Sequence, residues 1–155
     1  MKIIPKRRRR EYKTNYKNRF NLLKSGKLRA VVRKSNRYII GQIIETKNSQ
    51  DRVVFSFNSK KLLDQGWPEK FKGSLKSLPA AYLTGFVLGK QSKPKSEIIL
   101  DLGLNRSIPK SKIYSFLKGL VDSGVNIKAD KKILPKQEDI AKNQEIKLVI
   151  EKIKK

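Results

Sequence analysis

The chain contains no cysteine and no histidine. Without thiolate or imidazole it lacks the usual zinc ligands, any disulfide, and the base that activates serine or cysteine nucleophiles. Enzyme chemistry is narrowed to carboxylate-held magnesium, a lysine nucleophile, or a serine with a lysine base. Long apolar runs are missing too. No stretch approaches the roughly 18 residues of a membrane span, and Met1-Lys2-Ile3-Ile4-Pro5 is too short for a signal peptide's apolar region. The protein is therefore expected to stay on the side of the membrane where it is made. Acids are scarce at one end: as far as Arg37 the only one is Glu11, against 15 Lys and Arg.

What the chain has in excess is positive charge, 38 Lys and Arg against 13 Asp and Glu, for a net +25. The first 37 residues carry +14 of it, and the other 118, with 23 bases and 12 acids, only +11. Four adjacent arginines, Arg7 to Arg10, repel one another, which predicts an extended, solvated arm until a polyanion neutralises it. Nucleic acid is the leading partner for such a charge distribution.

Tyr12, Tyr16, Phe20 and Leu23 recur every three to four residues, with Lys13, Lys17, Arg19 and Lys24 on other faces. This spacing predicts a basic amphipathic helix over Tyr12 to Leu23, stopped by Gly26. The stripe reads as packing against the body in preference to a stacking platform, although Tyr12 and Tyr16 beside arginines also suit unpaired bases. Leu28 to Arg33 and Tyr38 to Ile44 are β-branched and form a hairpin across Lys34-Ser35-Asn36-Arg37, with Asn36 able to supply positive φ. Arg29 and Arg33 have even spacing and leave one strand face together. Arg52 to Phe57 adds a third strand, with Val53, Phe55 and Phe57 on one face, completing a meander.

Ser59 is the expected cap of a short helix, Lys60 to Gln65, ended by Gly66, and Lys70 to Ser77 is a basic loop. A helix follows from Leu78, capped by Ser77, with Pro79 in its first turn. Its small residues Ala81, Gly85 and Gly89 form a ridge for close approach to another element. Their spacing fits neither glycine-rich phosphate motif. Glu97 to Gly103 reads as a strand covered on both faces that returns to the same sheet by a crossover. Lys112 to Ser123 places Ile113, Phe116, Leu117, Leu120 and Val121 on one helix face, stopped by Gly124. From Gln137 to Lys155 a charged helix carries the pairs Glu138–Lys142 and Glu151–Lys155. Its stripe of Ile146, Val149, Ile150 and Ile153 either docks on the body or awaits a partner. The expected architecture is mixed α/β: a meander sheet with helices packed on it (28–134), a basic N-terminal extension (1–27) and a C-terminal helix (135–155).

Asp101 is the strongest catalytic candidate, since α/β folds place ligands at strand ends. Glu45, Asp51, Asp64 and Glu97 have no spacing that converges on it, so pairing with a base or capping a turn is the better reading and the protein reads as non-enzymatic. A magnesium-dependent nuclease centred on Asp101 and a general DNA architectural protein are the rivals. The candidate RNA-binding surface comprises Arg7, Arg8, Arg9 and Arg10, then Tyr12, Lys13, Thr14, Tyr16 and Arg19. It continues through Lys24, Lys27, Arg29 and Arg33 to the turn Lys34, Ser35, Asn36 and Arg37. No cofactor, metal or small-molecule substrate is expected.

Several blocks resemble one family in order. They are Arg7-Arg8-Arg9-Arg10-Glu11, Lys13-Thr14, Tyr16, Leu22 to Lys27 and Val31 to Asn36, then Pro79 to Gly85, Ile99 to Leu104 and Leu117-Lys118-Gly119. Together they resemble the archaeal and eukaryotic type of large-subunit ribosomal protein L-eighteen. Tyr12, Leu28 and Asn105 depart from it, standing where a small residue, proline and histidine are expected. The resemblance implies a cytoplasmic, structural ribosomal protein whose basic extension lies on 5S rRNA. It also implies that the chain helps to attach that RNA to large-subunit rRNA at the central protuberance, beside neighbouring ribosomal proteins.

Overall fold

The structure, a computed structural model, describes residues 4–48, 50–94, 96–141 and 143–154. A four-stranded mixed sheet is built from β1 (Leu28–Lys34), β2 (Ile39–Lys47), β3 (Gln50–Asn58) and β4 (Ile98–Asp101), in the order β3-β2-β1-β4. The first three strands form the expected antiparallel meander, and β4 returns parallel to β1, pairing Leu28 with Ile98 and Val31 with Asp101. Being an edge strand, β4 buries Ile98 but only half-buries Ile99 and Leu100, so the expected cover on both faces is incomplete. The β1–β2 turn needs no positive φ at Asn36; Ser35 closes it, its Oγ accepting from the Tyr38 N–H at 2.9 Å. Positive φ is used instead at Asn48, in the β2–β3 turn.

A bulge between Ile43 and Ile44 breaks the alternation expected of β3. Val53 pairs with Ile44 and Phe55 with Ile43, so these two side chains leave opposite faces, and only Phe57 reaches the core. After β3, a 3₁₀ turn at Ser59–Gln65 takes Asn58 as its cap in place of Ser59, whose Oγ instead accepts from the buried Ile39 N–H. Glu69–Ser74 forms a second 3₁₀ turn in the basic loop.

Helices cover the sheet face that carries Ala30, Val32, Ile39, Ile43 and Phe57. The central one, α3 (Leu78–Ser92), is capped by Ser77 and buried from Pro79 to Gly89. It crosses α4 (Lys112–Asp122), whose Ile113, Phe116, Leu117 and Leu120 are buried. Small residues set that crossing, because a Cβ at Gly85 would overlap the Phe116 carbonyl and one at Gly119 the Tyr82 carbonyl. Gly85→Ala gains helix propensity of about 1 kcal/mol, yet overpacking against backbone dominates. The variant should lose about 1–3 kcal/mol in urea unfolding, and a more stable variant would refute the close crossing. Polar contacts lock the pair: Tyr82 donates to Asp122 at 2.7 Å and Ser115 to the Leu78 carbonyl at 2.8 Å. Burial, with Asp122 beside it, pushes the Tyr82 phenol far above its ordinary pKa.

The C-terminal segment docks on this layer, but as two helices. After α5 (Gln137–Ile140) the chain leaves helical geometry at Ala141 (φ −111°, ψ 58°) and resumes as α6 (Gln144–Lys154). Ile140, Ile146 and Ile150 are buried, and Val149 and Ile153 pack beside them, as the stripe predicts. The expected Glu138–Lys142 and Glu151–Lys155 pairs involve residues outside those described.

Candidate nucleic-acid interface

The other sheet face is the one the N-terminal segment addresses. Strand alternation puts Arg29, Val31 and Arg33 here, opposite Ala30 and Val32, so Arg29 and Arg33 do share a face. Near it the chain forms α1 (Arg7–Arg10) and α2 (Tyr16–Lys24). The arm is therefore folded back locally, where an extended course was expected. Glu11 relieves the arginine repulsion, lying 3.8 Å from Arg7 and 2.8 Å from Lys13. Arg8 Nε donates to Thr14 Oγ1 at 2.8 Å, and Lys6 Nζ sits 5.0 Å above the Tyr16 ring centre.

Helix α2 starts four residues later than the stripe suggests. Asn15 caps it, accepting from the Asn18 N–H at 3.2 Å, and Gly26 ends the turn after it at φ 65°. Tyr12 lies outside the helix at φ 51°, in the left-handed region that favours glycine. The packing reading of the stripe fails at two positions, since Tyr12 is 88% and Phe20 66% exposed. Tyr16 and Leu23 are half-buried. The helix is instead tied to the sheet by charge, and Leu22 lines a shallow hollow with Leu100 and Leu102.

That charge contact is a five-residue network. Arg29 donates from Nη1 to Asp101 Oδ2 at 2.8 Å and from Nη2 to Asp51 Oδ1 at 2.7 Å and Thr46 Oγ1 at 3.0 Å. Arg19 reaches the second Asp51 oxygen at 2.8 Å, and Thr46 donates to the first. Asp101 Oδ1 accepts from the Gly103 N–H at 2.8 Å. Asp101 thus both pairs with a base and caps a turn. Among the described residues no three potential ligands converge on a metal position.

Burial alone would raise the Asp51 pKa, but hydrogen bonds from Thr46, Arg29 and Arg19 outweigh it and hold the carboxyl below the ordinary range. Its contribution to stability is complete above the unfolded value of about 3.9 and is lost as pH falls through the lower folded value. The urea midpoint of wild type should therefore drop more than that of Asp51→Asn between about pH 5 and about pH 3. Equal drops would remove Asp51 from the linkage.

Arg29 must be withdrawn from the exposed surface. It is 2% exposed and bridges two carboxylates, so it positions its neighbours from beneath. Lys27 is paired with Glu97 at the opposite end of β1 from Arg33 and Lys34. Arg7, Arg9, Arg10 and Lys24 are exposed, as are Arg33, Lys34, Ser35, Asn36 and Arg37. Among the described residues Arg33, Lys34 and Arg37 make no ion pair. Arg8, Lys13, Thr14, Arg19, Arg33 and Lys34 come together around one cleft of about 420 Å³. Its remaining wall was not foreseen: Asn15 and Asn18 from the arm side, and Gly103, Leu104 and Asn105 after β4. The signal was present in the parallel pairing of β4 with β1, which brings both C-terminal strand ends to one edge.

Residues 3–98, more than half of the chain, match the family described as ribosomal large subunit proteins 60S L5 and 50S L18. The large ribosomal subunit protein uL18 of Korarchaeum cryptofilum is 44% identical over 95% of the chain and 74% of its own length. The uL18 proteins of Aeropyrum pernix and Halobacterium salinarum are 42% and 39% identical, over 88% and 84% of the chain. The chain spans 64% of the Aeropyrum protein's length and 70% of the Halobacterium protein's. A basic surface on a mixed α/β body and similarity reaching past the matched segment lead to one assignment: the chain belongs to this family of large-subunit ribosomal proteins.

Proposed function

We propose that this protein binds 5S rRNA and helps to attach it to large-subunit, 23S-type rRNA at the central protuberance of the cytoplasmic ribosome, beside neighbouring ribosomal proteins. The observation that carries this reading is the exposed cationic surface formed by α1, the cleft and the β1–β2 turn, whose bases are largely unpaired within the protein. Residues 1–27 act as the RNA-binding extension. Its guanidinium groups and those of Arg33 and Arg37 bond phosphates as forks, Lys13, Lys24, Lys27 and Lys34 act as point charges, and Thr14, Ser35 and Asn36 add polar contacts. Tyr12, exposed beside arginines, stacks on an unpaired base, and Tyr16 supports that turn. Arg19 and Arg29 hold α2 against the sheet. Specificity comes from RNA shape, 2′-hydroxyls and unpaired bases, because side chains cannot read the deep groove of A-form RNA.

The test is binding of the full chain to 5S rRNA, to tRNA and to duplex DNA at near-physiological salt. Selective binding of 5S rRNA supports the reading. Equal affinity for all three would make the protein a general polyanion binder and favour the architectural alternative.

A further inference from the structure

We infer that the cleft between α2, the end of β1 and the loop after β4 is a seat for a single unpaired RNA nucleotide. This deepens the proposed rRNA-binding role and rests on it. Three features of the cleft point to that ligand. Its rim is cationic, and the one carboxylate lining it among the described residues, Asp101, already bonds Arg29 and the Gly103 N–H. Phosphate is therefore attracted to Arg33 and Lys34, which make no ion pair among the described residues.

Beyond the cations, the walls supply what a base requires. The Asn18 side-chain amide makes no hydrogen bond among the described residues. Asn105 donates from Nδ2 to the Leu102 carbonyl at 2.8 Å, which fixes the amide plane and leaves Oδ1 unpartnered among those residues. One held amide, Asn105, and one free to turn, Asn18, suit the hydrogen-bonding edge of an extruded base, and Leu22 and Leu104 offer apolar surface for its face. The volume of about 420 Å³ falls within the roughly 300–1,000 Å³ usual for small-ligand sites. A duplex would be held outside the rim.

Gly103 is adapted to this arrangement. It stands at φ 59°, in the left-handed region that favours glycine, and it brings the loop backbone up beside the exposed Arg33 guanidinium, whose Nη1 would lie 2.6 Å from a Cβ there. The loop after β4, outside the basic arm and turn, thus reads the base while Arg33 and Lys34 hold its phosphate.

The test uses the full chain with a 5S rRNA transcript and, separately, large-subunit rRNA. A benzophenone amino acid at the exposed position 104 is photolysed and the crosslinks are mapped by reverse transcription. Asn18→Ala, Asn105→Ala and Lys34→Ala are titrated across salt. A crosslink confined to one unpaired nucleotide is expected. The two asparagine variants should lose about five- to tenfold in affinity with an unchanged salt slope, whereas Lys34→Ala should make the slope shallower by about 1. Asn18 is a suitable probe because its side-chain amide makes no hydrogen bond among the described residues. Wild-type affinity in both asparagine variants, or crosslinks spread over paired nucleotides, would overturn the nucleotide seat and leave rRNA binding intact. Failure of the wild-type chain to bind either RNA would overturn the rRNA role and the seat with it.

Discussion

Replacing Arg7, Arg8, Arg9 and Arg10 together by alanine should lower affinity for 5S rRNA by about two to three orders of magnitude at near-physiological salt. The four side chains are exposed, none is buried by the fold, and Glu11 is the only acid in the first 37 residues. Arg7 lies 3.8 Å from that acid, which Lys13 approaches more closely, so the arginine charge is largely unneutralised in the free protein. Each phosphate contact removed takes about 0.7–0.9 from the slope of log affinity against log salt, so the quadruple variant should be shallower by roughly 3. Long-range attraction alone predicts something else. Substituting Lys60, Lys61, Lys131 and Lys132, exposed bases outside the arm and hairpin, removes the same net charge. That control should retain most of the affinity and slope. Equal losses in the two variants would mean that the arm adds to the field of the protein and makes no contact of its own.

The parts of this architecture that were legible in the sequence are those governed by local rules. Ser77 and Pro79 mark the start of α3, Gly66 takes the left-handed conformation at φ 94°, and the period of Ile113, Phe116, Leu117 and Leu120 orients α4. The small-residue ridge was legible as well, because glycine inside a helix is costly unless another backbone comes close. What escaped was decided between distant segments. The bulge opposite Ile43 and Ile44 depends on pairing with β2, so the alternation of Val53 and Phe55 gave the wrong faces. Ser59 was drawn away from capping by the Ile39 N–H, 20 residues before it. Exposed Phe20 shows the same limit: periodicity reveals which residues share a helix face, but not whether any surface lies beneath that face. The cleft walls at Asn18 and Asn105 became visible only when β4 was paired to β1.

Arg29 is the sharpest case of a residue whose type suggested one role and whose surroundings assign another, and Arg29→Ala should be the most destabilising single substitution in the protein. Its side chain is 3% exposed and bridges Asp101 to Asp51, which in turn holds Arg19 of α2. Removing it leaves the buried Asp101 carboxylate without its cation, a change that typically costs about 3–5 kcal/mol, whereas Asp51 keeps Arg19 and Thr46. For a chain of this size the thermal midpoint should fall by roughly 10 °C. Arg29→Lys keeps the charge but cannot span both carboxylates with one planar fork, so it should restore only part of the loss. The variants also separate support from contact. A phosphate contact at Arg29 would flatten the salt slope of rRNA binding and leave the midpoint unchanged. A buried brace does the reverse, lowering the midpoint while the slope at temperatures where the protein stays folded remains that of wild type. The network therefore fixes α2 on the sheet and leaves Arg8, Arg33 and Lys34 around the cleft, so that charge buried in the protein positions the charge offered to RNA.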